Sequence, residues 1–140
     1  MKVVVLAVGK MRDKHMAAVC DEYLQRARRH LPVEVVEVVD DAALARRVPA
    51  GAGIVALEPD GQAWTTAAFT AFLEKHMLHG SRALAFLIGG ADGLPRALVA
   101  RAAARVSLTP LTLPHRLARV ILCEQIYRAL SIIRDEPYAR

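Results

Sequence analysis

Residues 108–133 read LTPLTLPHRLARVILCEQIYRALSII, and this stretch says more about the fold than any other. An uncharged loop with two prolines runs directly into a helix that we expect from Arg116 to about Arg134. A helix on a protein surface normally has one apolar stripe and one broad polar face. Here the polar residues form only a narrow ribbon. We therefore expect this helix to be covered on several sides by its own domain, with a second subunit as the candidate for the remaining face.

The composition is that of one folded domain. The chain has 140 residues, which is long enough to bury a core, and we find neither a repeat nor a linker. It is 54% hydrophobic but only 5% aromatic, so the core must consist mainly of Val, Leu, Ile and Ala. Such a core is usual in parallel α/β sheets and also suits helical bundles. We predict a single domain over residues 1–140.

The positive charge is unevenly distributed. The formal net charge is +5, and residues 81–140 carry nine arginines, no lysine and four acidic residues. Residues 1–80 carry ten basic and ten acidic residues and balance to zero. Arginine suits contacts with phosphates and bases better than lysine does. The charge therefore favours RNA or another polyanion as partner, and a solvated basic face is the alternative.

Several classes of protein are not indicated. Cys20 and Cys123 lie far apart in the sequence and fit reduced thiols in a cytosolic core. The five histidines show no zinc-binding spacing with either cysteine, so we expect no metal. The apolar opening is too short for a signal peptide, and no run approaches the roughly 20 apolar residues of a membrane span. We expect a soluble cytoplasmic protein that does not bind a membrane.

Strand and helix signals alternate along the chain. Runs of Val, Leu, Ile and Ala predict strands at residues 3–8, 33–39, 54–57, 83–88 and 106–108. Helical spacing of apolar residues predicts helices at about residues 13–30, 42–47, 65–78, 94–105 and 116–134. Residues 58–61, EPDG, are predicted to form a turn. This alternation predicts an α/β fold, with a mainly parallel sheet and helices on both faces.

Three segments are placed to bind a ligand, because ligands of open α/β sheets lie beyond the carboxyl ends of the strands. They are residues 57–58, residues 89–93 and the loop at residues 108–113. The second segment reads GGADG, which lets backbone approach a ligand but equally suits a tight turn between a strand and a helix. The 108–113 loop offers apolar side chains, two hydroxyls and no charge, which suits an adenine. The alternative for this loop is a buried crossover.

Several motifs together resemble one known family. They are FLIGG at residues 86–90 followed by Gly93-Leu94, SLxxLTLPH at residues 107–115, EQxYRA at residues 124–129, and Pro137-Tyr138. Residues 8–10, VGK, and the spacing of Leu57, Gly61 and Trp64 also match. Over nearly the whole chain these features resemble the small bacterial 23S ribosomal RNA pseudouridine N3-methyltransferases of the SPOUT superfamily. The chain departs from that family at residues 40–53, which are shorter, and at Ala139, where a His usually follows the Tyr.

The resemblance implies a fold, a cofactor and partners. The fold would contain a C-terminal trefoil knot, in which the last helix threads beneath the 108–113 loop. The cofactor would be S-adenosylmethionine, and the protein would be a homodimer. The substrate would be a pseudouridine of large-subunit ribosomal RNA, presented by the assembled ribosome. The implied cofactor contacts are Leu57, Gly89, Leu108, Thr109, Pro110, Leu111, Thr112 and Leu113.

The resemblance also suggests which residues take part in catalysis and RNA binding. His115 could accept the proton from N3 of pseudouridine, and its alternative role is a structural hydrogen bond at the start of a helix. Tyr138 and Arg140 could reach the partner's cavity and hold the target base. Arg116 and Arg119 are expected to contact RNA phosphates.

Two alternative functions stay open from the sequence. One is a non-catalytic ribosome-associated binding protein that kept the fold, suggested by the altered tail. The other is a SPOUT enzyme that methylates tRNA. The small size argues against a tRNA substrate, because free tRNA would need a larger docking surface.

Overall fold

The computed structural model describes residues 1–139 and confirms the α/β fold. The strands are β1 (Lys2–Val8), β2 (Val33–Val38), β3 (Gly53–Ala63), β4 (Ala83–Ile88) and β5 (Ala104–Ser107). The helices are α1 (Lys14–Ala27), α2 (Asp41–Arg47), α3 (Thr66–Leu78), α4 (Arg96–Ala100) and α5 (His115–Ile133), followed by a 3-10 turn at Pro137–Ala139.

The strands form one sheet in the order β2-β1-β4-β3-β5, and every neighbouring pair is parallel. Parallel pairing brings the ends of the strands to one edge of the sheet. Ile88 at the end of β4 is paired with Ala7 on one side and with Leu57 on the other. The segments that follow β1, β3, β4 and β5 therefore meet at this carboxyl edge.

Helices cover both faces of the sheet. α1, α3 and α5 pack on one face, around a core that includes Phe86, Leu73 and Leu122. α2 and α4 pack on the other face through Leu44 and Leu98. Because the central strands are buried on both faces, they are continuous apolar runs and do not alternate with polar residues.

The last helix, α5, is covered by its own domain along one side only. Leu122, Ile126 and Leu130 are completely buried, and α5 packs against α1 and α3. On the outer side Ile121 is half-buried, and Ile132 remains 42% exposed. The helix is mostly apolar as predicted, but its own domain buries one side of it, so the cover on several sides is not found within one chain. A second subunit on the outer side stays a prediction.

The predicted helix at residues 94–105 is wrong in length. The helix found there, α4, has only five residues. Beyond it the chain joins the sheet, where the backbone N–H of Ala103 donates to the carbonyl of Ile54 at 2.8 Å. The strand β5 consequently starts at Ala104, two residues before the predicted position. Alanine favours a helix, but the backbone hydrogen bonds of the sheet edge prevail over this local preference.

The predicted turn at residues 58–61 does not end its strand. Val106 pairs with both Leu57 and Gln62, so the four residues between them leave the ladder and β3 then resumes. The bulge lies so close to β5 that a Cβ on Gly61 would come within 2.7 Å of the backbone nitrogen of Val106. Glycine is therefore required here by contact with the neighbouring strand, which the sequence does not reveal.

Two features concern the chain as a whole. Cys20 on α1 and Cys123 on α5 are both buried and free, and they lie in the same core cluster as neighbours despite their separation in sequence. Along residues 1–139, no helix combines the length and the apolar character that crossing a membrane requires. The trefoil knot implied by the resemblance stays a prediction.

Candidate active site

A cavity of about 370 Å³ opens at the carboxyl edge of the sheet. Its floor is formed at the ends of β4 and β5, by Ile88 and Ser107, and at the point where β3 bulges, by Leu57. The residues after β4, the 108–113 loop and the first turn of α5 form the walls. Pockets for small molecules commonly measure roughly 300–1,000 Å³. The cavity therefore has the size and the position expected for the ligand site of an open α/β sheet.

The glycine-rich loop at residues 89–93 is a tight turn and also a wall of this cavity. The backbone N–H of Gly93 donates to the carbonyl of Gly90 at 3.1 Å, which folds the loop back on itself. A Cβ on Gly89 would lie 2.5 Å from the carbonyl carbon of Gly93. No residue other than glycine fits at this position without moving the loop. The tight turn offered by the sequence is thus confirmed, whereas contact of this loop with a ligand stays a prediction.

The 108–113 loop is largely exposed, so the alternative of a buried crossover is wrong. Leu111 is 74% exposed, and Thr112 is exposed as well. The loop is held in shape by the hydroxyl of Ser107, which donates to the carbonyl of Thr109 at 2.8 Å, and by the hydroxyl of Thr109, which accepts from the backbone N–H of Leu111. All the loop residues except Pro110 line the cavity.

The cavity is mainly apolar, and Glu58 and His115 are the titratable residues that line it. The side chain of Glu58 is only 5% exposed and lies between two arginines. Arg105 donates to its carboxylate from Nε at 2.8 Å, and Arg96 donates from Nη2. Arg96 also donates to the carbonyl of Leu94, just beyond the glycine-rich loop. Glu58 thereby joins three segments around the mouth of the cavity.

His115 is the first residue of α5, and its ring borders the segment that follows β1. A Cβ on Gly9 would lie 3.8 Å from Nε2 of His115. One turn further along α5, Arg119 donates from Nη2 to the carbonyl of Gly9 at 3.2 Å and forms an ion pair with Glu37. These contacts fix the start of α5 against the ends of β1 and β2, and so fix the position of His115.

Arg119 is not placed to contact RNA. Its side chain is only 3% exposed, and both terminal nitrogens are engaged, by Glu37 and by Gly9. Burial tends to raise the pKa of Glu37, but the hydrogen bonds from Arg119 and from the N–H of Met11 hold that pKa below its usual value. The expectation of a phosphate contact is therefore corrected, because Arg119 serves to join α5 to β2. Arg116 is half-buried, and its Nε has no hydrogen-bond partner.

Tyr138 does not line the cavity of its own chain. Its hydroxyl donates to Glu124 on α5 at 2.8 Å, and its ring packs against Tyr127 and Tyr23. Arg128 completes the group by pairing with Glu124 and lying over the ring of Tyr138. Arg140, the other tail residue expected at the site, lies outside the described residues. A catalytic role for Tyr138 thus requires another copy of the chain and stays a prediction.

Sequence reasoning missed two parts of the site. The ion-paired cluster around Glu58 was overlooked because Arg96 and Arg105 lie far from it in sequence. A carboxylate directly after the strand predicted at residues 54–57 was the only available signal. The segment after β1 was also missed, since its charge is balanced by acidic residues elsewhere in the first 80 residues. In the part of the chain that the structure describes, no three metal-ligating side chains come together.

Comparison with known proteins identifies the class of protein to which this chain belongs. Residues 1–139 match the family described as "Predicted SPOUT methyltransferase". The chain belongs to this family of methyltransferases.

Bacterial proteins that are similar over the full length of the chain carry a more specific name. The chain is 47% identical over 144 residues to the ribosomal RNA large subunit methyltransferase H of Sorangium cellulosum, with 99% of each chain covered. It is 41% identical over 140 residues to the protein of the same name from Solibacter usitatus, with both chains covered completely.

Solved structures agree on the fold. A probable methylase family protein from Haemophilus influenzae superposes with a TM-score of 0.59 at 8% identity, covering 99% of this chain and 70% of that one. A structure described as giving insights into the 2-OH methylation of C/U34 on tRNA superposes with a TM-score of 0.52 at 17% identity, covering 94% and 92%. At these identities the likeness concerns the fold alone.

Proposed function

We propose that this protein transfers the methyl group of S-adenosylmethionine to N3 of a pseudouridine in large-subunit ribosomal RNA, on the assembled ribosome. The observation that carries the proposal is the cavity at the carboxyl edge of the sheet, framed by Gly89 and the 108–113 loop. The names of the relatives from Sorangium and Solibacter support the class of RNA. Position N3, the pseudouridine and the assembled ribosome rest on the motif resemblance. We expect the protein to act in the cytoplasm, where ribosomes are.

The cavity fits the cofactor in size and chemistry. Its lining is mostly apolar, which suits an adenine ring, and the site around Gly89 leaves no room for a side chain. Leu57, Gly89, Leu108, Thr109 and the residues from Leu111 to Leu113 would hold the cofactor, which supplies an activated methyl group when bound. Pro110 is left out of this set because it does not line the cavity.

The remaining chemistry is alignment and proton removal. A methyl transfer of this kind needs the attacking nitrogen held in line with the methyl carbon and water kept away. The apolar walls would help to keep water from the reacting atoms once the cofactor and the target base are bound. His115 lies at the cavity wall and would accept the N3 proton, whereas Glu58 already accepts hydrogen bonds from two arginines. His115 is therefore the best-placed base among the lining residues.

A homodimer would complete the site. Ile121 and Ile132 are apolar side chains on the outer side of α5, on the face of the helix opposite its buried side. Pairing of two copies through this face would cover it and would allow the tail, with Tyr138 and Arg140, to approach the partner's cavity. We include this arrangement in the proposal because Tyr138 does not line the cavity of its own chain.

Radiolabelled methyl transfer tests the proposal. The purified protein is incubated with labelled S-adenosylmethionine and unmethylated assembled ribosomes, with free ribosomal RNA and bulk tRNA in parallel. Label on the ribosomes alone is the expected result. Label mainly on tRNA would make the protein a tRNA methyltransferase, and ribosome binding without any cofactor binding would make it a non-catalytic binding protein.

A further inference from the structure

The segment between β1 and α1, together with the first residue of α1, presents three positively charged side chains at the carboxyl edge of the sheet. Lys10, Arg12 and Lys14 are all exposed. We call residues 10–14 the basic loop. Because β1 is parallel to its neighbour β4, this loop emerges at the same edge of the sheet as the cavity.

Two distances place Val8 and Gly9, the residues directly before the basic loop, against the wall of the cavity. The ring of His115, which lines the cavity, lies 3.8 Å from the position of a Cβ on Gly9. A Cβ on Gly90, another lining residue, would lie 3.3 Å from Cγ1 of Val8. The basic loop therefore begins beside the wall of the cavity.

The basic loop is rigidly held. The backbone N–H of Met11 donates to Glu37 at 2.6 Å, and Arg119 anchors the carbonyl of Gly9. At the other end Asp13 caps α1 by accepting from the backbone N–H of His15 and Met16. A loop held at both ends loses little conformational freedom when a ligand binds.

The acidic groups near the loop are already engaged. Glu37 is paired with Arg119, and Asp13 is used as a helix cap that also feels the charge of Arg116. The three exposed cations and Arg116 thus leave a net positive surface beside the cavity. Asp40 and Asp41 follow β2 at the same edge of the sheet, where Asp40 caps α2.

We propose that the basic loop and Arg116 bind the phosphates of the RNA strand that carries the target base. This inference rests on the proposed function as a ribosomal RNA methyltransferase. Regularly spaced lysine and arginine side chains on a fixed loop suit a phosphate backbone, whose contacts position the nucleic acid without reading its sequence. The loop would hold the strand while the target base enters the cavity.

The test removes the three positive charges of the basic loop. The triple variant Lys10→Gln, Arg12→Gln, Lys14→Gln is compared with a control in which Arg46, Arg47 and Arg82 are changed to Gln. The control residues are exposed and lie at the opposite edge of the sheet, in the last turn of α2 and just before β4. Both variants remove three positive charges from exposed positions, so both should fold.

Binding to unmethylated ribosomes is measured by co-sedimentation at several salt concentrations, together with the KM for ribosomes and the Kd for S-adenosylmethionine. The loop variant should bind ribosomes at least about tenfold more weakly, and its salt dependence should fall by about 2 in slope, as expected for the loss of three phosphate contacts. Its cofactor Kd and its kcat at saturating ribosomes should stay unchanged, and the control should behave like the parent.

The experiment distinguishes a failure of this inference from a failure of the proposed function. Equal ribosome binding by the loop variant and the control would overturn this inference and leave the proposed function intact. A parent protein that binds ribosomes through the loop but methylates nothing would uphold the surface and refute the proposed function. Equally tight, loop-dependent binding of a polyglutamate of matched charge would also overturn the inference, because the partner would then be an acidic protein segment.

Discussion

Gly89 is the residue on which the shape of the cavity depends most directly. In the variant Gly89→Ala the new methyl group would meet the backbone of Gly93 at 2.5 Å, so the glycine-rich loop must move. We expect a loss of stability of about 1–3 kcal/mol and a loss of cofactor affinity of at least about tenfold. Calorimetry with S-adenosylmethionine measures the affinity.

Gly51→Ala is the matched control for Gly89. Gly51 has a φ of +75°, so alanine is strained there, but no atom lies within 4 Å of the added Cβ. This variant should lose stability by about 1–2 kcal/mol and keep its cofactor affinity. If Gly89→Ala binds the cofactor as well as Gly51→Ala does, the loop does not belong to the site.

His115 should matter for the chemical step more than for cofactor binding. In His115→Asn we expect kcat to fall by about 10²-fold or more, as is typical for the loss of a general base, with the cofactor Kd little changed. His79→Asn, at the end of α3, is the control and should keep its kcat. An unchanged kcat in His115→Asn would give His115 a purely structural role.

Glu58 connects elements that are distant in sequence. It joins β3 to α4 and to β5 through Arg96 and Arg105, and so fixes two walls of the cavity relative to each other. Glu58→Gln should destabilise the fold by about 1–3 kcal/mol, because two charged hydrogen bonds are weakened. It should also weaken cofactor binding, which thermal unfolding and calorimetry measure in parallel.

Asp60→Asn is the control for this cluster. Asp60 contacts the same Arg105 at 3.2 Å, but its side chain is 81% exposed. An exposed ion pair contributes less than about 1 kcal/mol, so we expect almost no change. Equal effects of the two variants would contradict a special role for Glu58.

The docking of the tail on α5 should depend on pH. Burial tends to raise the pKa of Glu124, but hydrogen bonds from Arg128 and Tyr138 hold it below the usual 4.5. Its contribution to stability is therefore present above pH 4.5 and is lost as the pH falls further. Burial, followed by the hydrogen bonds with Tyr23 and Glu124, raises the pKa of Tyr138 above its usual 10. Its contribution is lost as the pH rises beyond that value.

NMR shifts of the Tyr138 ring should accordingly show a docked tail between about pH 4.5 and pH 10. Tyr138→Phe removes the hydrogen bond to Glu124 and should cost about 1.5 kcal/mol of docking free energy, typical of a hydrogen bond to a charged group. A ring signal that does not respond to acid would show that Glu124 does not hold the tail.

The sequence predicted whole elements better than their connections. Long apolar runs such as residues 83–88 identified the strands, since burial on both faces leaves a clear pattern. The bulge at residues 58–61 and the short α4 were missed because both depend on β5, a strand of four residues. Arg119 was assigned to RNA because no sequence pattern shows that Glu37 lies opposite it. Contacts between distant residues decided each of these cases.

In the candidate site, too, contacts between residues distant in sequence were not predicted. The motif resemblance named seven cofactor contacts that do line the cavity, with Pro110 as the exception. The side chains that surround this lining, Glu58, Arg96 and Arg105, were not foreseen. Their roles arise from burial and pairing, which become visible only in three dimensions.

At the level of the whole molecule, the outer face of α5 should be a dimer interface. Replacing Ile121 and Ile132 by Arg should convert a dimer into a monomer in light scattering and should abolish methyl transfer. The control replaces Val39 and Leu78, which are 82% and 78% exposed, by Arg and should remain dimeric. A parent protein that is monomeric at assay concentrations would refute both the interface and the shared site.

Because Cys20 and Cys123 are neighbours across α1 and α5, their reactivity can be used to measure separation of these two helices. The neighbouring Cys20 thiol and burial together raise the pKa of Cys123, so its reactive thiolate is suppressed while α1 and α5 stay packed. A thiol reagent can modify it only when the two helices separate. The labelling rate of Cys123 therefore measures how often α5 detaches from the domain, and a ligand that bridges the 108–113 loop and α5 should slow that rate.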